Sequence, residues 1–456
     1  MRICIVNEFF WPDITGGTGT VLSDLARTLR TNYKDIEIDV ITSRNLYRTP
    51  PSKKPVNSPV ERITPADAAA ATRLLPKTET WEDIRIVRLA TPRPNGLPTP
   101  LRLVANLMFS YAALSQLLRS PKYDLVLIAT APPMVALAAS AYKRLTKTPF
   151  VYTIYDLEPD RAVVLKLVPA RNLAVSILRS KQRYWFRQAS KIVVLGRCMS
   201  DYLQAQYDVS AEKIAVIPVG ADKDEIEPRG KKTAIRSAYN LNGFVVLYSG
   251  NFGRYHDFDT ILNAAKRLSK LRSDIQFLLV GGGWQRDKVA ERVATERIDN
   301  VLIRPFVDKD QYADLLASAD VSLVTLEPGM DGLCVPSKFY SILASGRATI
   351  AVVPPTTEVG LTIAEADCGI RIDHGNVDAL VEAVLSLAND PARSKQMGIN
   401  ARNVLVEKYS TADTAQAFYK SFIEALGWDS ESLASDRSAA RTPDERLEDA
   451  EVVPNT

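Results

Sequence analysis

The residues whose types and spacing could do chemistry lie late in the chain, at 330–346, MDGLCVPSKFYSILASG. Asp331 stands on a glycine-bearing loop, and Pro336, Ser337 and Lys338 open an amphipathic helical pattern that ends at Gly346. A helix start presents unpaired backbone N–H groups and a positive dipole end to an anion, and Lys338 adds a full charge. The loop residues Gly332, Leu333 and Cys334 offer backbone amides, and Asp331 an acid, to hydroxyl groups on the same ligand. A diphosphate joined to a sugar has both parts. An ordinary loop-to-helix turn uses the same residue types, so the surrounding elements must decide between the two.

A second stretch of this kind is GNFGRYH, where Gly250 and Gly253 flank Asn251 and precede Arg254 and His256. Two glycines let the backbone curl around an anion, and Arg254 supplies charge. The first strand-to-helix turn, with Gly16 and Gly17, also lets backbone approach a ligand closely, although it lacks the dinucleotide spacing. Asp156 and Glu158 follow an apolar strand, on the side that lines the crevice of an open α/β sheet. Gly281, Gly282 and Gly283 read equally as a strand-end turn or as an edge for a base.

These residues need a scaffold of matching size. At 456 residues the chain exceeds one ordinary core. With 46% hydrophobic and 24% charged residues, it has the composition of a soluble globular enzyme. Residues 1–225 carry 31 Lys and Arg against 21 Asp and Glu, and the remainder carries 26 against 32, so the basic character sits in the first half. Four scattered cysteines without CxxC spacing point to a reducing compartment and away from structural zinc. Two histidines leave little room for His-based metal sites, and no secretory signal is read at the start. The uncharged window 125–142 contains Pro132 and Pro133 and reads as strand, turn and helix.

Short β-rich runs alternate with helical patterns throughout, the mark of a doubly wound α/β protein. Strands are expected in RICIVNEFF, IEIDVITS, DIRIVRLA, YDLVLIAT, PFVYTIYDL, KIVVL and KIAVIPVG. A second series follows in FVVLYSG, IQFLLVGGG, NVLIRPF, DVSLVTL, ATIAVV and CGIRI. The expected division is a first domain over 1–220, a linker over 221–240, a second domain over 241–411, a helix over 412–427 and a disordered acidic tail over 428–456. Residues 45–80 are Pro-rich and polar and read as an excursion or lid.

With the pieces in this order, the chain resembles family 4 retaining glycosyltransferases, in the branch that builds bacterial surface polysaccharides of the colanic-acid type. The resemblance rests on EFFWPDITGGTGT, YDLEPD, KIAVIPVGAD, YSGNFGRYHDFDTILNAA, LLVGGG, VPSKFYSILASG and MGINAR. It implies the GT-B fold, with two facing Rossmann-like domains of parallel sheet and a C-terminal helix crossing back to the first. The second domain would hold a nucleoside-diphosphate sugar as donor substrate, and the first the acceptor. No metal and no cofactor is implied. Asp331 stands where the family's first acid contacts the sugar, and Ser341 where a second acid would reach the ribose. Asn251 and His256 align with an Arg and a Lys that grip the diphosphate, so Arg254 is the substitute. Asp156 is placed toward acceptor or sugar, and Tyr155 stands where relatives carry His. Retention at the anomeric carbon is implied, with the leaving phosphate taking the acceptor proton.

Between Asp160 and Asp201 there are nine Lys and Arg and no acid. Arg179, Lys181, Arg183 and Arg187, with Trp185 among them, read as an amphipathic basic surface for anionic lipid headgroups. The apolar stripe at Leu101, Val104, Met108, Tyr111, Leu114 and Leu118 reads as core. A lipid-linked glycan acceptor at the inner face of the cytoplasmic membrane would explain the basic patch, and no nucleic-acid motif accompanies it. Two other readings stand beside transfer: a nucleotide-sugar 2-epimerase on the same fold, and a non-catalytic partner that binds a membrane glycan or a true transferase.

Overall fold

The computed structural model describes residues 1–13, 17–45, 74–92 and 99–428. The strands of the first sheet are β1 (Arg2–Val6), β2 (Glu37–Ser43), β3 (Thr78–Trp81), β4 (Ile84–Leu89), β5 (Leu125–Ala129), β6 (Phe150–Ile154), β7 (Lys191–Val194) and β8 (Ile214–Val216). Those of the second are β9 (Phe244–Ser249), β10 (Ile275–Val280), β11 (Val301–Arg304), β12 (Val321–Thr325), β13 (Ala348–Val352) and β14 (Gly369–Ile372). All thirteen expected strands are present. They are legible because a parallel strand covered on both faces is apolar along its whole length, as in β5, β6, β12 and β13, where every residue is buried.

The first sheet runs β3-β4-β2-β1-β5-β6-β7-β8 and the second β11-β10-β9-β12-β13-β14. Only the β3–β4 pairing is antiparallel. In each sheet the strand order reverses beside the first strand, between β1 and β5 and between β9 and β12. Open α/β sheets bind ligands in the crevice at the carboxyl ends of such strands. β3 was not foreseen: its sequence, TETW, alternates exposed and half-buried positions at the sheet edge and overlaps the end of the stretch read as an excursion. The rest of that stretch over 46–73, the acidic tail from 429 and Gly16 lie outside the described residues.

The helix Thr411–Leu426 returns to the first sheet, as the family resemblance implies. Phe418 and Phe422 are buried in its core, and Tyr419 stacks on Tyr33 with ring centroids 4.0 Å apart. Lys191 and Glu424 pair at 2.6 Å. Ser410 caps this helix and also bridges to Ala221, so the chain crosses between the two sheets twice at one place.

The window 125–142 folds as β5, a turn and the start of the helix Val135–Thr146, as expected. The stripe read as core does not behave as core. In the helix Thr99–Arg119, Ala105, Phe109, Ala113 and Leu117 face inward, whereas Leu101, Val104, Met108, Tyr111 and Leu118 are exposed, Tyr111 by 75%. This helix is long and apolar enough to cross a membrane by length and composition.

Candidate active site

The two stretches singled out by chemistry occupy the switch point of the second sheet. GNFGRYH forms the loop after β9, and MDGLCVPSKF the loop after β12. Glycine is required where these loops touch. Gly250 (φ 142°) holds a backbone conformation that other residues rarely adopt, with Cε of Lys338 3.0 Å from where a Cβ would stand. Gly281 (φ 148°) is closer still, its Cβ position falling 1.9 Å from the Gly250 carbonyl oxygen.

Lys338 is the centre of the site. Its Nζ lies 2.6 Å from the Tyr248 hydroxyl and 3.8 Å from the centroid of that ring. Among the described residues no carboxylate pairs with it. Burial pushes the amine down to about 7. An ammonium packed against a neutral phenol, without a counter-charge, is poised to accept an anion.

His256 departs from its expected role. The ring is 3% exposed, and Nδ1 lies 2.8 Å from the Thr325 carbonyl oxygen at the end of β12. Burial first, then the nearby Lys338 charge, hold it well below the usual histidine range. It is neutral and ties the loop after β9 to the end of β12. Arg254 is exposed instead, its guanidinium 3.6 Å from the centroid of the Trp284 ring. Asn251 is exposed beside it.

The expected amide cradle is smaller than the motif promised. Gly250 and Phe252 donate their N–H groups to Val280 and Gly282 carbonyls at 2.9 and 2.8 Å. The helix opened by Lys338 is only seven residues long, and Ser337 makes no side-chain cap. Ser341, on the same helix, lies beside the Tyr312 phenol, as does Ser249. Positive charge at this site therefore comes from side chains more than from a helix terminus.

Asp331, Gly332, Leu333 and Cys334 are brought against the first sheet. Leu157 N–H donates to the Leu333 carbonyl at 2.9 Å, and Asp156 forms a β-bridge with Cys334. Gly332 (φ 77°) is pressed onto the helix Arg197–Tyr207, with Tyr202 Cβ 2.8 Å from its own would-be Cβ. Asp331 is half-buried and accepts a hydrogen bond from Thr356 at 3.3 Å. Asp156 is tied to Arg161 at 2.9 Å, and the same guanidinium holds Glu158 at 2.6 Å. Burial raises the Asp156 carboxyl while Arg161 opposes the shift. Gly17 begins the helix Gly17–Asn32, with open space at its Cα. A further latch lies nearby: Arg197 donates its backbone N–H to Glu358 at 2.7 Å, and its guanidinium reaches the same carboxylate at 3.0 Å.

Sequence reasoning missed Tyr248, Trp284 and the cluster of Asp257, Glu327 and His374. In that cluster one ligand atom from each residue lies within 4.8 Å of the others, a set that a divalent cation could use. Its His374 Nδ1 stands 2.8 Å from the Asp257 carboxylate, which also caps the helix Phe258–Leu271. Tyr248 carried a signal, an aromatic with a hydroxyl just before the strand-end glycine. The Asp257 cluster carried none, because its members are spread over more than a hundred residues.

The basic surface also needs correction. Trp185 is 3% exposed and belongs to the core, and Arg179 pairs with the buried Asp160 at 2.7 Å. Arg183 donates to the Gln206 carbonyl at 2.9 Å while packing over Tyr207. Lys181, Arg183 and Arg187 remain exposed.

Residues 16–220 match the glycosyl transferase 4-like domain, and residues 231–404 match the glycosyl transferases group 1 domain. The chain is a glycosyltransferase, with a glycosyl transferase 4-like first domain and a group 1 second domain. Its second domain is the one that carries Lys338, Asp331 and Arg254. The probable glycosyltransferase WbjE of Pseudomonas aeruginosa is 24% identical over 304 residues, which span 66% of this chain and 74% of that protein. The putative colanic acid biosynthesis glycosyl transferase WcaI of Escherichia coli is 28% identical over 155 residues, only 37% of its length. Among solved structures, sucrose-phosphate synthase from Thermosynechococcus elongatus superposes with a TM-score of 0.72 at 17% identity, covering 94% of this chain and 99% of that one. Anabaena Alr3699/HepE, solved with UDP and glucose, gives 0.66 at 14% identity, covering 92% and 99%. These likenesses establish the GT-B fold for this glycosyltransferase.

Proposed function

We propose that this glycosyltransferase moves a sugar from a nucleoside diphosphate to a lipid-linked glycan acceptor in the synthesis of a bacterial envelope polysaccharide. The observation that carries the donor assignment is Lys338, a half-buried cation at the β9/β12 switch point that has no acid partner among the described residues. Breaking a sugar–phosphate bond requires that charge on the leaving diphosphate be met by groups already in place. Lys338 and Arg254 meet it without a metal. HepE, solved with UDP and glucose, supports a nucleotide-sugar as donor, and WbjE and WcaI support the polysaccharide context. Asp331 contacts the sugar, and transfer proceeds with retention, the leaving phosphate taking the proton of the attacking hydroxyl. Beyond this donor substrate the reaction takes no cofactor.

The acceptor is delivered at the inner face of the cytoplasmic membrane. The supporting observation is the exposed apolar face of the helix Thr99–Arg119, next to the helix Val135–Thr146, which exposes Leu137 and Leu145 and packs in turn on the helix Leu173–Gln188. Leu173, Ile177 and Tyr184 are exposed on that third helix, with Lys181, Arg183 and Arg187 among them. Apolar side chains ringed by bases fit an anionic bilayer surface.

A thermal-shift panel with UDP, GDP, dTDP, ADP and CMP and their sugar conjugates tests the donor reading, since ligands that bind the folded state raise its apparent stability. A selective rise for one nucleotide and its sugar is expected, and no rise with any of them would sink it. Vesicle co-sedimentation tests the surface: replacing Leu101, Val104, Met108 and Tyr111 with Ser should release the protein from anionic vesicles. Retained binding would move the contact elsewhere.

A further inference from the structure

The carboxyl end of the first sheet holds polar groups that have no hydrogen-bond partner among the described residues. Glu8 lies two residues beyond β1 and is 8% exposed, and among the described residues its carboxylate takes part in no hydrogen bond or ion pair. Tyr155 lies one residue beyond β6, is 7% exposed, and has a buried phenol oxygen without a partner. Asn7 Oδ1 is a third such atom. Leaving a buried polar group unbonded is costly, so most native examples have a partner, and the exceptions call for an explanation.

These groups share one place. β1, β5 and β6 are consecutive in the sheet, and its switch point falls between β1 and β5. Glu8 N–H donates to the Ala131 carbonyl at 2.8 Å, and Tyr155 N–H to the Thr130 hydroxyl at 3.2 Å, so both residues are anchored to neighbouring positions of the loop after β5. Tyr155 also adjoins Asp156, the residue bridged to Cys334 of the loop after β12. The unbonded groups therefore stand beside the junction where the proposed donor loop meets the first domain. Asp156, the acid that the sequence placed toward the acceptor, is already held by Arg161. Glu8 is not held.

We propose that Glu8 and Tyr155 form the binding site for the acceptor's sugar hydroxyls, Glu8 accepting a hydrogen bond from the attacking hydroxyl and Tyr155 bonding an adjacent oxygen. The chemistry fits a polyol: an acid and a phenol with open hydrogen-bonding capacity and, among the described residues, no cation acting on either to attract a phosphate. Burial, with Asp13 nearby, pushes Glu8 up to about 7, the response of a carboxyl group that lacks donors. This inference rests on the transfer reaction proposed above.

The test uses the full chain and a panel of octyl glycosides (glucoside, galactoside, mannoside and N-acetylglucosaminide) as acceptor probes, with binding read by saturation-transfer NMR. Each titration is run alone and with the nucleoside diphosphate of largest thermal shift. Wild type is expected to bind at least one probe. Glu8→Gln and Tyr155→Phe should each weaken that probe about tenfold or more while changing nucleotide affinity less than twofold. A purely structural role would not produce that split. Equal probe binding by both variants, or no probe bound by wild type, would overturn the proposal. If Glu8→Gln does not fold, Tyr155→Phe decides by the same criterion. Loss of nucleotide binding with probe binding intact would count against the donor assignment alone, because the probe is also titrated without nucleotide.

Discussion

The two sheets share one strand order around their switch points yet carry opposite chemistry there. At the second, glycines with positive φ bring two loops into contact around Lys338, a cation with no acid beside it. At the first, Glu8 and Tyr155 are acidic or neutral, and their side chains have no hydrogen-bond partner among the described residues. One end is built for an anion and the other for hydroxyl groups. Topology supplied the crevice twice, and a few residues just past the strands decided what each half would receive.

The sharpest way to break this contrast is Lys338→Met. It should weaken nucleoside-diphosphate binding by about a hundredfold, since a hydrogen-bonded charge at a phosphate contributes roughly 1.5–3 kcal/mol. The same variant should melt higher than wild type at neutral pH, because it removes a desolvated amine. Titration calorimetry with scanning calorimetry checks both, and unchanged affinity would remove Lys338 from the site.

The two ends should also answer pH with slopes of opposite sign. Lys338 is lowered to about 7, so above pH 7, up to the ordinary lysine range, the unfolded chain binds one more proton than the folded one. Stability of the free protein then rises with pH over that window, by roughly 5 kcal/mol at most, while nucleotide affinity falls. Glu8 is raised to about 7, so between the ordinary glutamate range and pH 7 the folded chain binds the extra proton. Stability falls as pH rises there, by roughly 2–3 kcal/mol, and levels off above 7. Denaturant melts across pH should lose the first slope in Lys338→Met and the second in Glu8→Gln. Survival of either slope in its variant would reassign that titration.

Smaller effects refine the picture. Arg254→Ala removes an exposed guanidinium stacked on Trp284 and should weaken nucleotide binding only about threefold to fivefold. A loss as large as that of Lys338→Met would make Arg254 the main phosphate ligand. Glu358→Gln, measured by urea melts, should cost about 1 kcal/mol by weakening the contact with Arg197 that joins the two domains. No change would mean that the latch is unimportant to stability.

Much of this was legible in the sequence for a physical reason. Parallel strands covered on both faces leave continuous apolar runs, and the phosphate-side loops are local stretches whose glycines and charges stand together. What escaped depends on packing between distant segments. A stripe at helical spacing looks the same whether it meets a sheet or a lipid surface, so Leu101, Val104 and Tyr111 gave no warning of their exposure. His256 looked like a loop residue beside an acid, and its burial follows from Thr325, 69 residues further on. The unbonded state of Glu8 emerges only when three strand ends meet.

The helix Thr411–Leu426 has a consequence for how the protein is made. It supplies Phe418, Phe422 and the Tyr419 stack to the sheet that begins at Arg2. Chains commonly fold domain by domain as they leave the ribosome, the first one first. Here the N-terminal domain must wait, with one apolar face uncovered, until the whole second domain has been synthesised. The half of the molecule that is born first is the half that is finished last.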